Sequence, residues 1–192
     1  MRSKLLVLGS MLALAVTAAD AQQSLPRFKG TVVASFLPDG RNMKLEKPFG
    51  YVDSNGKHWD VPAGAVTDGA SIPQVLWTTH PPFTGRYRDA AVIHDYFCRS
   101  KSESWQATHT VFYDAMRTNG VDERIAKVMY AVVYNFGPRW GFGAARRGPG
   151  SGAPTSIEKQ RQVMGELEGW VGRANPSPGE IARALDTGVI PR

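Results

Sequence analysis

The chain has 192 residues and one cysteine, with 23 Lys and Arg against 17 Asp and Glu, which gives a formal net charge of +6 at pH 7. This length provides one domain with a substantial core plus an appendage, and a single cysteine excludes an internal disulfide. The positive charges are scattered and are not interleaved with aromatic residues in a stripe, which argues against nucleic acid as a partner. A solvated basic surface is the simplest interpretation of the charge, and an anionic envelope component, a phospholipid or a cell-wall polymer, is the partner that it favours.

Residues 1–21 have the pattern of a signal peptide. Arg2 and Lys4 precede an apolar stretch at 5–16, which is shorter than the ~20 residues that a membrane-spanning helix needs. A small-x-small pattern ends at Ala21, where we expect cleavage. The sequence therefore predicts a periplasmic or secreted protein whose mature chain contains no transmembrane segment.

Residues 22–140 are predicted to form an α+β core domain that begins with a small antiparallel sheet of three or four strands. The β-rich segment 31–37 ends at a Pro-Asp-Gly turn, and the Asn-Gly pair at 55–56 is a typical hairpin signal between further extended segments. From Ser71 onward the spacing of apolar residues changes from a period of two to one of about 3.6, which indicates helices. The expected helices span 71–77, 86–100, 103–117 and 122–136.

The rest of the chain is predicted to be a linker followed by a helical tail. Residues 141–156 are rich in Gly and Ala and bury little, which is typical of a flexible linker. In the tail, 157–192, apolar residues have helical spacing over 157–173, and a short helical turn is expected at 179–185. The fold class is therefore α+β, with a small N-terminal antiparallel sheet followed by a helical bundle.

Two motifs indicate where chemistry could take place. The segment Asp-Gly-Ala-Ser-Ile-Pro at 68–73 is a polar turn leading into a helix, and His94 and Asp95 lie within an otherwise apolar helical segment. Burying such a pair costs several kcal/mol unless partners or a metal satisfy it. His109 has core spacing on the next helix, and the short connection between the two helices makes them antiparallel neighbours. We therefore expect His94 and His109 to face one another, with the Asp68 turn close to them.

Two metal-dependent interpretations follow from these residues. In the first, Asp95 and Asp68 hold a hard cation such as Ca²⁺ and His94 acts as the general base of a hydrolase. In the second, Zn²⁺ is held by His94, His109 and either Asp68 or Asp95, leaving one position open for water.

Nucleophilic catalysis and a purely structural role are the alternatives. Ser71 or Cys98 would be the nucleophile with His94 as its base, although Ser71 lacks the Gly-x-Ser-x-Gly context and Cys98 is most simply a small core residue. In the structural interpretation Asp68 stabilises its own turn, Ser71 caps a helix, and the His-Asp pair belongs to a buried hydrogen-bond network.

The segments 62–73 and 90–96, followed by a helix with Phe112, Ala115 and Met116, resemble the domain-of-unknown-function 1353 family of phage and bacterial proteins. The resemblance covers roughly 28–140 and implies no settled activity. In that family an Asp tends to occupy the position of His109, three residues before the Phe.

The His-Asp helix is also loosely similar to that of secreted phospholipases A₂. That similarity implies that His94 is the base, Asp95 a Ca²⁺ ligand and His109 the orienting position. Cys98 stands where those enzymes have Tyr, and the Gly-rich calcium loop is absent unless the turn at Asp68 replaces it. The sequence thus favours an exported hydrolase-like protein acting on a phospholipid ester or peptidoglycan. The alternative is a non-catalytic periplasmic or phage-derived interaction module.

Overall fold

The computed structural model describes residues 25–68, 85–141 and 156–191. Within these ranges six short strands precede five helices, and the predicted α+β class is confirmed. The predicted signal peptide at 1–21, the helix predicted at 71–77 and nearly all of the predicted linker lie outside the described residues.

The six strands form two antiparallel sheets of three strands each, so the prediction of one sheet with three or four strands was wrong. The strand orders are β1-β4-β5 and β2-β3-β6. The chain bends between β3 and β4 and then enters Pro48, which has no N–H to donate, and the strands on either side join different sheets. The strands are β1 Arg27–Lys29, β2 Ala34–Phe36, β3 Met43–Leu45, β4 Phe49–Val52, β5 His58–Val61 and β6 Val66–Thr67.

The predicted hairpin joins β4 to β5, with Val52 opposite His58. A buried carboxylate holds its turn together. Asp53 accepts hydrogen bonds from the backbone N–H groups of Asn55 and Lys57 and from the indole N–H of Trp59, at 2.9–3.0 Å. Asp53 thus satisfies the turn's donors and anchors the Trp59 ring against α1.

The predicted helices that fall within the described ranges are all present, and α5 is longer than the short turn expected. Polar caps explain several starts: Ser104 and Asp122 accept backbone N–H groups at the starts of α2 and α3, and Ser177 forms a capping box with Glu180. The helices are α1 Arg88–Ser100, α2 Trp105–Thr118, α3 Glu123–Phe136, α4 Ile157–Ala174 and α5 Pro178–Thr187.

The helices pack in sequence: α1 on α2 and α2 on α3, while α4 and α5 both lie against α3. Leu167, Trp170 and Ile181 of the last two helices belong to the same apolar core as α1–α3. The buried ammonium of Lys127 on α3 donates to Asn175 Oδ1 at 2.7 Å and fixes the junction between α4 and α5. None of the helices in the described ranges is long and apolar enough to cross a membrane.

Candidate functional site

Helix α1 is buried on two sides and places consecutive polar residues at two different contacts. It packs against α2 and also against β5 and β6. Successive residues of a helix are about 100° apart, so His94 is directed to α2 while Asp95 is directed to β6. Both side chains are 0% exposed.

On the α2 side, the structure brings His94 and His109 together. Nε2 of His94 lies 2.8 Å from Nδ1 of His109, so one ring donates and the other accepts. The Cys98 sulfur, one turn along α1, lies 3.5 Å from the same His94 nitrogen. Burial lowers the pKa of His94 to about 4. Burial, followed by the neighbouring His94 and Arg139, lowers the pKa of His109 to about 2. Both imidazoles are therefore neutral at pH 7.

Aromatic rings surround the histidine pair. Phe112 packs on His94, and Trp105, Tyr134 and Trp140 pack around His109, with ring centroids 5.0–6.4 Å apart. This environment excludes water, which is why burial is the largest cause of both lowered pKa values.

Residues 137–140, which follow α3, pack against the side of the His109 ring that faces away from His94. Nε2 of His109 is buried and makes no hydrogen bond to a described residue, and the Pro138 carbonyl is the polar group that favours the charged form of this ring. The Arg139 guanidinium lies 4.5 Å from the Trp105 ring centroid and donates to the carbonyl of Tyr134.

On the β6 side, two carboxyl groups meet. The Thr67 hydroxyl donates to Oδ2 of Asp95 at 2.5 Å. Asp68 is hydrogen-bonded to Asp95, and burial followed by the charge of Asp95 raises the pKa of Asp68. Two carboxylates repel each other unless a proton or a cation lies between them. Oδ1 of Asp68 is buried without a hydrogen bond to a described residue, and Arg99 approaches Oδ2 at 3.8 Å.

Cys98 interacts with both the histidine pair and the carboxyl pair. Its pKa is raised to about 12 by burial and then by the charges of Asp95 and Asp68. The side chain is therefore a thiol at neutral pH, a poor nucleophile. Ser71, the other predicted nucleophile, lies outside the described residues.

The site thus offers two donor sets for a metal. Thr67, Asp68 and Asp95 present oxygen atoms, which suit hard cations. His94, Cys98 and His109 present nitrogen and sulfur atoms that all lie within 4.8 Å of one another, which suits borderline ions such as Zn²⁺.

Sequence reasoning missed Thr67, Arg99 and the residues after α3. Arg99 is four residues after Asp95, so helical spacing alone would have placed it on the same face. Thr67 adjoins the predicted Asp68, but its bond to Asp95 depends on how β6 packs on α1. Arg139 and Trp140 follow a predicted helix end, and no sequence pattern relates them to His109.

Residues 43–133 match the model of a protein family described as "Protein of unknown function (DUF1353)". Two curated relatives of the chain come from Sinorhizobium fredii (strain NBRC 101917 / NGR234). "Uncharacterized protein y4jT" is 42% identical over 133 residues, which cover 68% of this chain and 40% of the relative. "Uncharacterized protein y4iH" is 41% identical over 135 residues, which cover 67% of this chain and 55% of the relative.

The chain therefore spans about half the length of the curated relatives it matches. No solved structure matches it. The matched segment holds Asp68, the His94–Asp95 pair and His109, and residues 43–133 of the chain belong to the DUF1353 family.

Proposed function

We propose that this protein is an exported, metal-assisted hydrolase whose substrate is a component of the cell envelope, a phospholipid ester or peptidoglycan. One observation supports the proposal: the adjacent residues His94 and Asp95 of α1 join a neutral, water-excluded histidine pair to the Asp68–Asp95 carboxyl pair. Perturbed carboxyl and imidazole groups in one cluster are typical of catalytic centres.

The carboxyl pair fits an oxygen-preferring cation such as Ca²⁺. Asp68 and Asp95 need a positive charge or a proton between them, and Oδ1 of Asp68 lacks a hydrogen-bond partner among the described residues. A cation held there would polarise the carbonyl of an ester or amide. The Thr67 hydroxyl holds Asp95 in a fixed orientation for this role.

His94 is the proposed base. Its lowered pKa keeps the ring neutral at pH 7, so it is able to accept the proton of an attacking water. His109 fixes the orientation and tautomer of the ring through the 2.8 Å hydrogen bond. A neutral His109 supplies no negative charge for the imidazolium that forms, so the centre is a weaker version of a His-Asp dyad.

The test measures hydrolysis by the full mature chain, which begins at Gln22 if the signal peptide is cleaved as expected. Fatty-acid release from phosphatidylglycerol vesicles and fragment release from dye-labelled peptidoglycan are followed in Ca²⁺ and in EDTA. We expect hydrolysis of one substrate, its loss in EDTA, and its loss in Asp95→Asn but not in the exposed control Asp60→Asn. Failure to hydrolyse either substrate in Ca²⁺ would refute the proposal.

A second function, a non-catalytic interaction module, is favoured by the complete burial of His94, Asp95 and His109. In that case the polar cluster is a structural network, and the basic surface is the part that contacts an anionic envelope component. His94→Ala would then cost several kcal/mol of unfolding free energy, with no hydrolysis to lose. Urea unfolding of this variant beside the activity assays separates the two functions.

A further inference from the structure

We propose that His94, Cys98 and His109 form a binding site for a borderline metal ion such as Zn²⁺. We further propose that an ion bound at this site inhibits the hydrolytic centre. The geometry of the three side chains supports binding. Inhibition rests on the proposed function, because it follows only if His94 is the base.

The three ligand atoms are already close to the separations of a tetrahedral site. With Zn–N of about 2.0–2.1 Å and Zn–S of about 2.3 Å, two nitrogens lie about 3.3 Å apart, and nitrogen and sulfur lie about 3.6 Å apart. The Cys98 sulfur is 3.5 Å from Nε2 of His94, and this nitrogen is 2.8 Å from Nδ1 of His109. In the second of these pairs the two imidazoles have to separate by about half an ångström, and all three ligand atoms lie within 4.8 Å of one another.

The positions of the ligands are fixed by rigid elements. His94 and Cys98 are one turn apart on α1, so they project from the same face, and α2 supplies His109 from the opposite side. Phe112 packs on the His94 ring and Trp105 packs on the His109 ring, and these contacts limit the rotation of both imidazoles. A site held by packed helices needs little reorganisation to accept its ion.

The protonation states favour coordination by the imidazoles. Both histidines have lowered pKa values, so they are neutral and no proton competes for their lone pairs at pH 7. The hydrogen atom between the two rings has to leave that position. A change of tautomer moves it to the second nitrogen of the ring that carries it. The Cys98 thiol releases one proton to solvent, and its thiolate becomes the third ligand.

The surroundings supply what a metal site requires beyond its ligands. Nε2 of His109 is buried without a partner among the described residues, and the Pro138 carbonyl is close enough to the ring to receive its N–H once Nδ1 is coordinated. The charge of Asp95, which opposes ionisation of the Cys98 thiol, attracts a cation to the same place. Among the described residues the cluster contains three His, Cys, Asp or Glu side chains, so the protein supplies three of the four ligands of a tetrahedral site.

The consequence for the proposed hydrolase is competition for His94. A neutral His94 that coordinates an ion through Nε2 carries its proton on Nδ1, so neither ring nitrogen keeps a lone pair to accept the proton of water. The oxygen site at Asp68 and Asp95 lies on the β6 side of α1 and prefers a harder ion, so the two ions are distinguished by donor chemistry.

Cobalt titration of the full chain without an affinity tag tests binding directly. We expect one equivalent of Co²⁺ to bind with a near-ultraviolet sulfur-to-cobalt charge-transfer band, which Zn²⁺ then removes by displacement. Cys98→Ser should lose the band and weaken Zn²⁺ binding at least ~10-fold, the lower bound for loss of a group that supports a metal ligand. The exposed control His58→Ala should behave as the wild type.

No charge-transfer band, or an equal band in Cys98→Ser, would overturn the metal site. Inhibition is tested with Zn²⁺ added to the Ca²⁺-supported hydrolysis assay, where wild type should lose activity and Cys98→Ser should resist. Cobalt binding without any hydrolysis would leave the site standing and refute the proposed function together with inhibition. Hydrolysis that Zn²⁺ does not reduce, in a chain that binds cobalt, would refute inhibition alone.

Discussion

The buried histidine pair should make the protein lose stability steeply as the pH falls below 6.5. In the native state the pKa is about 4 for His94 and about 2 for His109, whereas an unfolded histidine has a pKa of 6.5. At about pH 5 the unfolded chain therefore binds two protons that the native chain excludes. Two protons correspond to a slope of about 2.7 kcal/mol per pH unit in the free energy of unfolding, with stability rising as the pH rises.

Asp68 works in the opposite direction within the same window. Its pKa is raised in the native state, so the folded protein keeps a proton that the unfolded chain has released. Burial, followed by the charge of Asp53, also raises the pKa of Asp114, which acts in the same sense. Each of these two carboxyls offsets up to one proton, about 1.4 kcal/mol per pH unit, wherever it stays protonated in the native state. The loss begins near the unfolded histidine pKa of 6.5 and continues down to the native His94 pKa of about 4. Over this range the two histidines together cost up to about 7 kcal/mol, which is a large part of the about 5–15 kcal/mol by which domains are stable.

Urea unfolding at several pH values between about 6.5 and 4.5 measures this slope. His109→Gln should reduce the slope by about 1.4 kcal/mol per pH unit whatever its effect on absolute stability, because one excluded proton is gone. His58→Gln, which removes an exposed histidine from β5, should leave the slope of the wild type unchanged. Equal slopes for the wild type and His109→Gln would refute the conclusion that the His109 ring is held neutral.

Three smaller perturbations test other parts of the structure by urea or thermal unfolding. Thr67→Val keeps the side-chain shape but removes the 2.5 Å hydrogen bond to Asp95, and should cost about 1.5–3 kcal/mol because that bond is made to an ionisable group. Gly137→Ala places a Cβ against the backbone carbonyl of Val133 in α3 and 3.1 Å from the His109 ring, and should cost about 1–3 kcal/mol. The control Gly141→Ala meets nothing within 4 Å and should be neutral. Lys127→Met should cost about 0.5–1.5 kcal/mol by removing the hydrogen bond to the exposed Asn175 side chain together with the ion pair to Glu123, and an unchanged midpoint would show that α4 is not fixed through this contact.

Helices were predictable from the sequence because their signals are local. Apolar spacing, the caps at Ser104, Asp122 and Ser177, and the stop at Gly137 each involve residues within one or two turns. The division of the strands into two sheets was not predictable, since each strand has only two to four residues and pairing joins distant segments such as Met43 with Thr67. Strands this short lack the alternation that would assign them a register.

The contacts of the candidate site were likewise predictable from the sequence only where they are local. The neighbourhood of His94 and Cys98 follows from their spacing of four residues, and the contact with His109 follows from two antiparallel helices. The position of Asp68 against Asp95 depends on the packing of β6 on α1, and the aromatic surround of His109 depends on the loop after α3. Such contacts between elements distant in sequence leave no periodic pattern behind.

Residue 109 determines which chemistry the buried centre favours. The family resemblance implies an Asp there, and a carboxylate beside His94 would raise its pKa and stabilise the imidazolium that a general base becomes. In this chain His109 leaves both rings neutral and directs two imidazole nitrogens and the Cys98 sulfur at one another. The same exchange that weakens the proton-accepting role of His94 therefore creates the donor set for a borderline metal. Because α1 keeps Asp95 on its other side, the carboxyl pair is preserved, and only the function of the histidine side depends on residue 109.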